Sequence, residues 1–326
     1  MRQFGRVLGR FLVLIFALLA LAWLTAPQDV VDREIAFEPD AIGADVSAYL
    51  AAAEAKFADI RPGVEKRVLW AGEVGAKTNF SIVYVHGFSA TSEEIRPVPD
   101  QVAQAIGANL FFTRLAGHGR TGDAMAEASA GDWIEDLAEA VEIGRRIGDR
   151  VIVMATSTGA TLAAIGATDP VLSKDVAGYI LVSPNFGVAN PAAKILDLPW
   201  ARVWGPIVAG DRRGFATENA EHDKYWTTDY PTLALFPMAA LIREAKASDY
   251  SLAKVPALFL YSPDDKVVDV SAIPSVRDSW AGGVQEERRT MGEGDDPNSH
   301  VIAGRILSPG QTDETAEIMV DWIKGL

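Results

Sequence analysis

From Phe80 onward the chain alternates short apolar, β-branched runs with stretches of helical period, and this alternation leaves few folds open to it. Phe80–Val85 has the composition of a buried strand and ends in the turn-like pair His86-Gly87. Pro99–Ile106 predicts a short helix, with the proline tolerated in its first turn. Leu110–Thr113 predicts a second strand, and Asp132–Ile147 a helix with Ile134, Leu137, Ala138 and Val141 on one stripe. Val151–Met154 and Tyr179–Val182 read as further buried strands on either side of a helix over Ser157–Ala167. Ala257–Tyr261 and Glu286–Thr290 follow as strands, and Thr312–Ile323 closes the chain as an amphipathic helix. Strands alternating with helices imply βαβ units, hence an α/β fold with a mostly parallel central sheet and helices on both faces. Upstream, Ala41–Phe57 has helical character and Arg67–Trp70 reads as an early strand.

One stretch breaks the rhythm. Between Asn185 and about Lys254 no buried strand is evident; the segment carries Pro199-Trp200, Trp204, Tyr225-Trp226, Tyr230-Pro231 and Phe236-Pro237 instead. A structureless loop of that length would be unusual in a compact domain, so a helical cap inserted between two core strands is expected. Its aromatics fit two roles equally, lining an apolar pocket or forming a small core of the cap's own.

The N-terminus has a different character. Arg2, Arg6 and Arg10 precede an unbroken apolar run from Phe11 to Leu24, and Pro27, Asp29, Asp32 and Glu34 follow. Basic residues, an apolar stretch and an acidic exit predict a membrane-insertion signal that leaves the start of the chain in the cytoplasm. The run is short for a relaxed span of about 20 residues and at the upper end for a signal-peptide core. Ala20-Leu21-Ala22 offers a cleavage signal, although the apolar run continues past it. The organisation expected is therefore a membrane anchor or signal over 1–28, an N-terminal extension with the first strands over 29–75, and a main domain over 76–326 with the cap at about 185–254. An uncleaved anchor would hold that domain at the cell membrane outside the cytoplasm; cleavage would release it as an exported protein.

The formal net charge of −14 and the lack of a basic patch interleaved with aromatics argue against a nucleic-acid partner. With no cysteine, the chain has neither thiolate metal sites nor a cysteine nucleophile. No H-E-x-x-H and no histidine pair at helical spacing suggests a zinc hydrolase, and the acids of Gly292–Asp296 lack EF-hand spacing and read as solvated loop acids. Gly-rich phosphate loops are absent.

Chemistry concentrates in Ala155-Thr156-Ser157-Thr158-Gly159, set directly between a predicted strand and an alanine-rich helix. A sharp strand-to-helix turn lifts a serine Oγ clear of the sheet and needs small residues two before and two after, which Ala155 and Gly159 supply. Ser157 on its own would equally suit a helix cap. A serine nucleophile needs a base, and the base a carboxylate, in the chain order Ser, acid, His. Of the four histidines, His86, His118 and His222 precede every candidate acid, leaving His300 in a Gly- and Asp-rich loop after the Glu286–Thr290 strand. Asp264 and Asp265, after the Ala257–Tyr261 strand, compete as the acid. Backbone N–H donors for a developing oxyanion are expected from Thr158, after the nucleophile, and from Phe88, in the loop after Phe80–Val85. His86 and His118 read as structural braces.

Taken together, His86-Gly87-Phe88, Leu115-Ala116-Gly117-His118-Gly119-Arg120-Thr121, Asp132-Trp133, the Ser157 elbow, Asp265 and His300 resemble the bacterial carboxylesterase and monoacylglycerol-lipase branch of the α/β-hydrolases, over about 80–326. The resemblance favours Asp265 over Asp264, since family members place the acid three after a turn residue and three before a valine, here Ser262 and Val268. It implies the α/β-hydrolase fold with a cap over the site, hydrolysis of small to medium acyl esters or lipid-like substrates through an acyl-enzyme, and no cofactor or metal. A thioesterase, aminopeptidase or amidase would use the same three residues, and a non-catalytic binding protein would need none of them.

Overall fold

The computed structural model describes residues 2–326. It opens with α1 (Arg2–Leu24), α2 (Val46–Glu54) and β1 (Arg67–Leu69), followed by β2 (Thr78–Val85), α3 (Val98–Ile106) and β3 (Asn109–Phe112). Next come α4 (Ala130–Ile147), β4 (Gly148–Thr156), α5 (Thr158–Ala167) and β5 (Val176–Val182). The intervening segment holds α6 (Ala201–Ala209), β6 (Arg212–Gly214), α7 (Ala220–Tyr225), β7 (Asp229–Pro231) and α8 (Leu235–Ala247). The chain ends with β8 (Ala257–Tyr261), α9 (Ile273–Arg277), β9 (Val284–Arg288) and α10 (Thr312–Lys324).

Seven strands form one sheet in the order β1-β3-β2-β4-β5-β8-β9, parallel throughout except for β1 against β3. The central strands are apolar on both faces, as two-sided burial requires. Val83, Val85, Val151 and Val153 join α4, α5 and α8 in one cluster, while Ile82, Tyr84, Ile152 and Met154 join α3 and α10 in the other. Short parallel crossovers bring the carboxyl ends of β2, β4, β8 and β9 to the same sheet edge, the usual place for a site in such sheets.

Three elements differ from the sequence expectation. The last strand is Val284–Arg288, two residues earlier than expected; it is the sheet edge, with Glu286 and Arg288 on it, and lacks the apolar run that marks a buried strand. The inserted segment is not wholly helical, for β6 and β7 pair as an antiparallel ribbon joined by Arg212 and Asp229. Its last helix, α8, packs Ala240, Leu241 and Ala245 into the cluster on the sheet and so lies in the helical layer.

The extension before β2 is fastened to the body by buried charge. Arg114 makes two 2.8 Å hydrogen bonds to Glu54 of α2. Lys66 pairs with Asp136 and Glu139 of α4. Val31, Ile42, Val46 and Leu50 enter the same hydrophobic cluster as α4. α1 stands apart: Gln3–Leu24 is a 22-residue apolar stretch of helix that is not buried against the body. At a rise of about 1.5 Å per residue it is about as long as a bilayer's hydrocarbon core is thick. In its last turn Trp200 Nε1–H donates to the Ala22 carbonyl at 3.1 Å, and beyond the helix Asp29 accepts from Arg202 at 2.5 Å.

Candidate active site

Ser157 occupies the turn between β4 and α5 with φ 54° and ψ −118°, a conformation costly for a side-chain-bearing residue. That is why the helix starts at Thr158 rather than at the serine. Packing explains the small neighbours: a Cβ on Gly159 would sit 2.4 Å from the Val85 carbonyl oxygen and 2.5 Å from that of His86. Ala155 is fully buried in the strand. The Ser157 N–H donates to the Val182 carbonyl at 2.8 Å, tying the elbow to β5.

His300 arrives from the loop after β9. Its Nε2 is 3.0 Å from Ser157 Oγ, and its Nδ1 is 2.7 Å from Asp265 Oδ2. Asp265 follows β8, and its other oxygen accepts the Val267 and Val268 N–H groups at 2.8 and 3.0 Å. Asp264 is exposed, and its N–H donates to Ser262 Oγ at 3.3 Å. Burial works against an imidazolium at His300, but the charge and hydrogen bond of Asp265 outweigh it, so the ring's pKa is raised above its ordinary value.

Phe88 and Thr158 both line the cavity above Ser157, and neither backbone N–H finds a protein acceptor among the described residues. Phe88 is held edge-on by His118, Trp133 and Tyr230. His86 takes the Leu115 N–H on Nε2 and donates from Nδ1 to the Gly87 carbonyl, and burial together with His118 pushes its pKa well down. Burial lowers His118 to about 4. Both rings are therefore neutral braces between β2, the Leu115–Gly119 turn and Trp133, whose Nε1–H donates to the Ala116 carbonyl. Asp132 closes a capping box with Ser129 at the start of α4.

Two acids at the site carry no distinguishing signal in the sequence. Asp296, expected to be a solvated loop acid, is buried: its Oδ2 accepts the His300 and Val301 N–H groups at 3.0 and 2.8 Å, and its Oδ1 the Asn298 N–H at 2.9 Å. A carboxylate taking three amides organises the loop that presents His300. Glu94 is buried beside the nucleophile. Asp296 lies in a Gly- and Asp-rich loop, and nothing in the sequence separates it from the neighbouring Asp295.

The cavity over Ser157 measures about 380 Å³. Phe215, Trp226, Tyr230, Leu235, Met238 and Val188 supply apolar walls, and Asn185, Glu218 and His222 polar ones. So the aromatics of the inserted segment divide: Trp226 and Tyr230 line the pocket, whereas Trp200 lies on the outer face.

A family model described as serine aminopeptidase, S33, matches residues 76–282. The chain belongs to that family of α/β-hydrolases. A relative, the thermostable monoacylglycerol lipase of Bacillus sp. (strain H-257), is 24% identical over 187 residues, covering 57% of this chain and 71% of the lipase. Among solved structures, one of the metagenome-derived lipolytic enzymes LipS and LipT superposes with a TM-score of 0.65 at 19% identity, covering 82% of this chain and all of that one. A soluble variant of monoglyceride lipase from Saccharomyces cerevisiae, in complex with a substrate analogue, gives 0.60 at 12% identity, over 80% of this chain and 91% of that one. At these identities the superpositions establish the fold. The S33 family match places the chain among the α/β-hydrolases, and the relatives similar to it are named as lipolytic enzymes.

Proposed function

We propose that the protein is a serine esterase or lipase that cleaves carboxylic esters through an acyl-enzyme, with Ser157 as nucleophile, His300 as general base and acid, and Asp265 as the group that orients His300. The observation that carries this reading is the continuous hydrogen-bonded chain from Asp265 through His300 to Ser157 at the floor of an apolar-walled cavity. Ser157 attacks the carbonyl carbon as its proton passes to His300 Nε2. The tetrahedral oxyanion takes the Phe88 and Thr158 N–H groups, the dipole of α5 adding to their field. Collapse expels the alcohol with the proton returned by His300, and water repeats the sequence to release the acid.

Supporting a lipid-like acyl group are the apolar walls of the cavity and the similarity to proteins named as monoacylglycerol lipases. The same machinery would serve a thioester or amide, and hydrolysis of a p-nitrophenyl ester series from acetate to palmitate separates these. Turnover with a chain-length optimum supports the ester reading. Covalent labelling by a fluorophosphonate without ester turnover would move the substrate to an amide, peptide or thioester.

The N-terminal helix is proposed to be an anchor or signal, with the domain of residues 76–326 and its cap at about 185–254 outside the cytoplasm. Its length, apolar character and lack of burial support this, as do Arg6 and Arg10 toward its start.

A further inference from the structure

Glu94 has no part in the mechanism above, yet it borders the same cavity as Ser157, Thr158 and His300 and is only 2% exposed. One carboxyl oxygen, Oε2, accepts both the Gly87 N–H at 2.7 Å and the Tyr84 O–H at 3.1 Å. The other, Oε1, lies 2.7 Å from the point that a Gly87 Cβ would occupy, and Ser157 Cβ lies 3.0 Å from that same point. Glu94 thus grips the oxyanion loop through the amide before Phe88 and brings a carboxyl oxygen close to the nucleophile. Only glycine at position 87 leaves room for this approach.

The charged surroundings narrow what that carboxyl can be. His300 borders the same cavity, with Asp265 and Asp296 holding its ring and its backbone. Tyr84 of β2 donates to it, and the braces His86 and His118 are neutral. Neighbouring Glu93 pairs instead with Arg67, Arg96 and Arg305, so none of these cations is paired with Glu94. An ionised Glu94, itself buried, would place a second negative charge beside the tetrahedral oxyanion, where burial weakens screening. The neutral acid keeps Oε2 as the acceptor for Gly87 and Tyr84, carries its proton on Oε1, and adds no repulsion.

We propose that Glu94 is a positioning residue for the oxyanion loop that serves in its neutral form, so that its ionisation sets the alkaline limit of turnover. The inference rests on the proposed role of Ser157. Burial raises the Glu94 pKa to about 7, which puts the change of state within the range where such an enzyme is assayed. Because a charged Glu94 also favours the imidazolium of His300, the two groups titrate as a coupled pair.

The test is the pH dependence of kcat and KM for the full-length protein, Glu94→Gln and Glu94→Ala on a short p-nitrophenyl ester. Wild type gives a bell. Glutamine reproduces the neutral acid, so Glu94→Gln loses the alkaline limb and keeps its acidic limb, because the neighbour that His300 meets at low pH is uncharged in both proteins. Glu94→Ala leaves the Gly87 N–H without its acceptor and lowers kcat about tenfold or more at every pH, with KM little changed. An alkaline limb that persists in Glu94→Gln, or a loss there as large as in Glu94→Ala, overturns the proposal. Fluorophosphonate labelling of Ser157 in the same samples separates the two claims. Labelled wild type with an unaltered Glu94→Gln profile refutes the role of Glu94 alone, whereas unlabelled wild type refutes the Ser157 reading and this inference with it.

Discussion

His300 Nε2 lies 3.0 Å from Ser157 Oγ although 143 positions separate the two residues in the chain. The contact exists because β4 and β9 belong to one parallel sheet and release their following loops at the same edge. Asp265 after β8 completes the relay from between them. A serine, a histidine and an aspartate on three separate strand ends can be held in register only if the sheet and its loops are rigid. Removing any one support should therefore show in turnover, in stability or in both.

On the proposed mechanism, the charge on His300 should make turnover depend on pH. The ring must be neutral to take the serine proton, and Asp265 raises its pKa above the ordinary 6.5. Activity should therefore fall as the pH drops through a midpoint above 6.5. Replacing Asp265 with asparagine should move that midpoint down and reduce kcat by about three to four orders of magnitude, since the imidazolium loses its counter-charge and the ring its tautomer. A kcat/KM profile for both proteins checks the direction.

Asp296 supports the loop rather than the reaction. Asp296→Ala removes the acceptor for three backbone amides, among them that of His300. We expect kcat to fall about 10- to 100-fold, a loss of orientation, with KM little affected because the cavity walls are untouched. A comparable rise in KM with kcat preserved would contradict the assignment.

Gly159 tests the elbow. Any side chain there meets the Val85 and His86 carbonyls at 2.4 and 2.5 Å, both backbone atoms that cannot swing away. Gly159→Ala should destabilise the fold by about 1–3 kcal/mol by overpacking and depress turnover as Ser157 is displaced. Denaturant titration and a kcat measurement on one preparation read both effects.

Lys66 tests whether the extension belongs to the body. Lys66→Met would leave Asp136 and Glu139 buried without their cation, at a cost of about 3–5 kcal/mol. A change within a few tenths of that of a surface substitution would mean the pair is solvated.

Much of this architecture is visible in the sequence because buried parallel strands must be continuous apolar runs. Ala257–Tyr261 matches its strand residue for residue, and Val151–Met154 marks the centre of β4. The elbow is legible for a steric reason, since a sharp strand-to-helix turn around a serine tolerates only small residues on both sides. The edge strand β9 lies two residues before its expected position because one open side removes the apolar signature. Likewise, α8 is masked within the inserted segment: Pro237 in an apolar stretch resembles cap composition, and only contact with α5 places it in the layer against the sheet. Asp296 and Glu94 could not be singled out at all. Their importance comes from which amides they meet after folding, and each sits beside a second acid, Glu93 or Asp295, from which no periodicity tells it apart.

The role of Ser157 as nucleophile is tested by ester turnover of wild type beside Ser157→Ala, with the site of fluorophosphonate modification mapped by mass spectrometry. Modification at Ser157 and a loss of kcat of about three orders of magnitude or more in the variant are expected. Wild-type turnover in Ser157→Ala, or modification at another serine, would contradict that role.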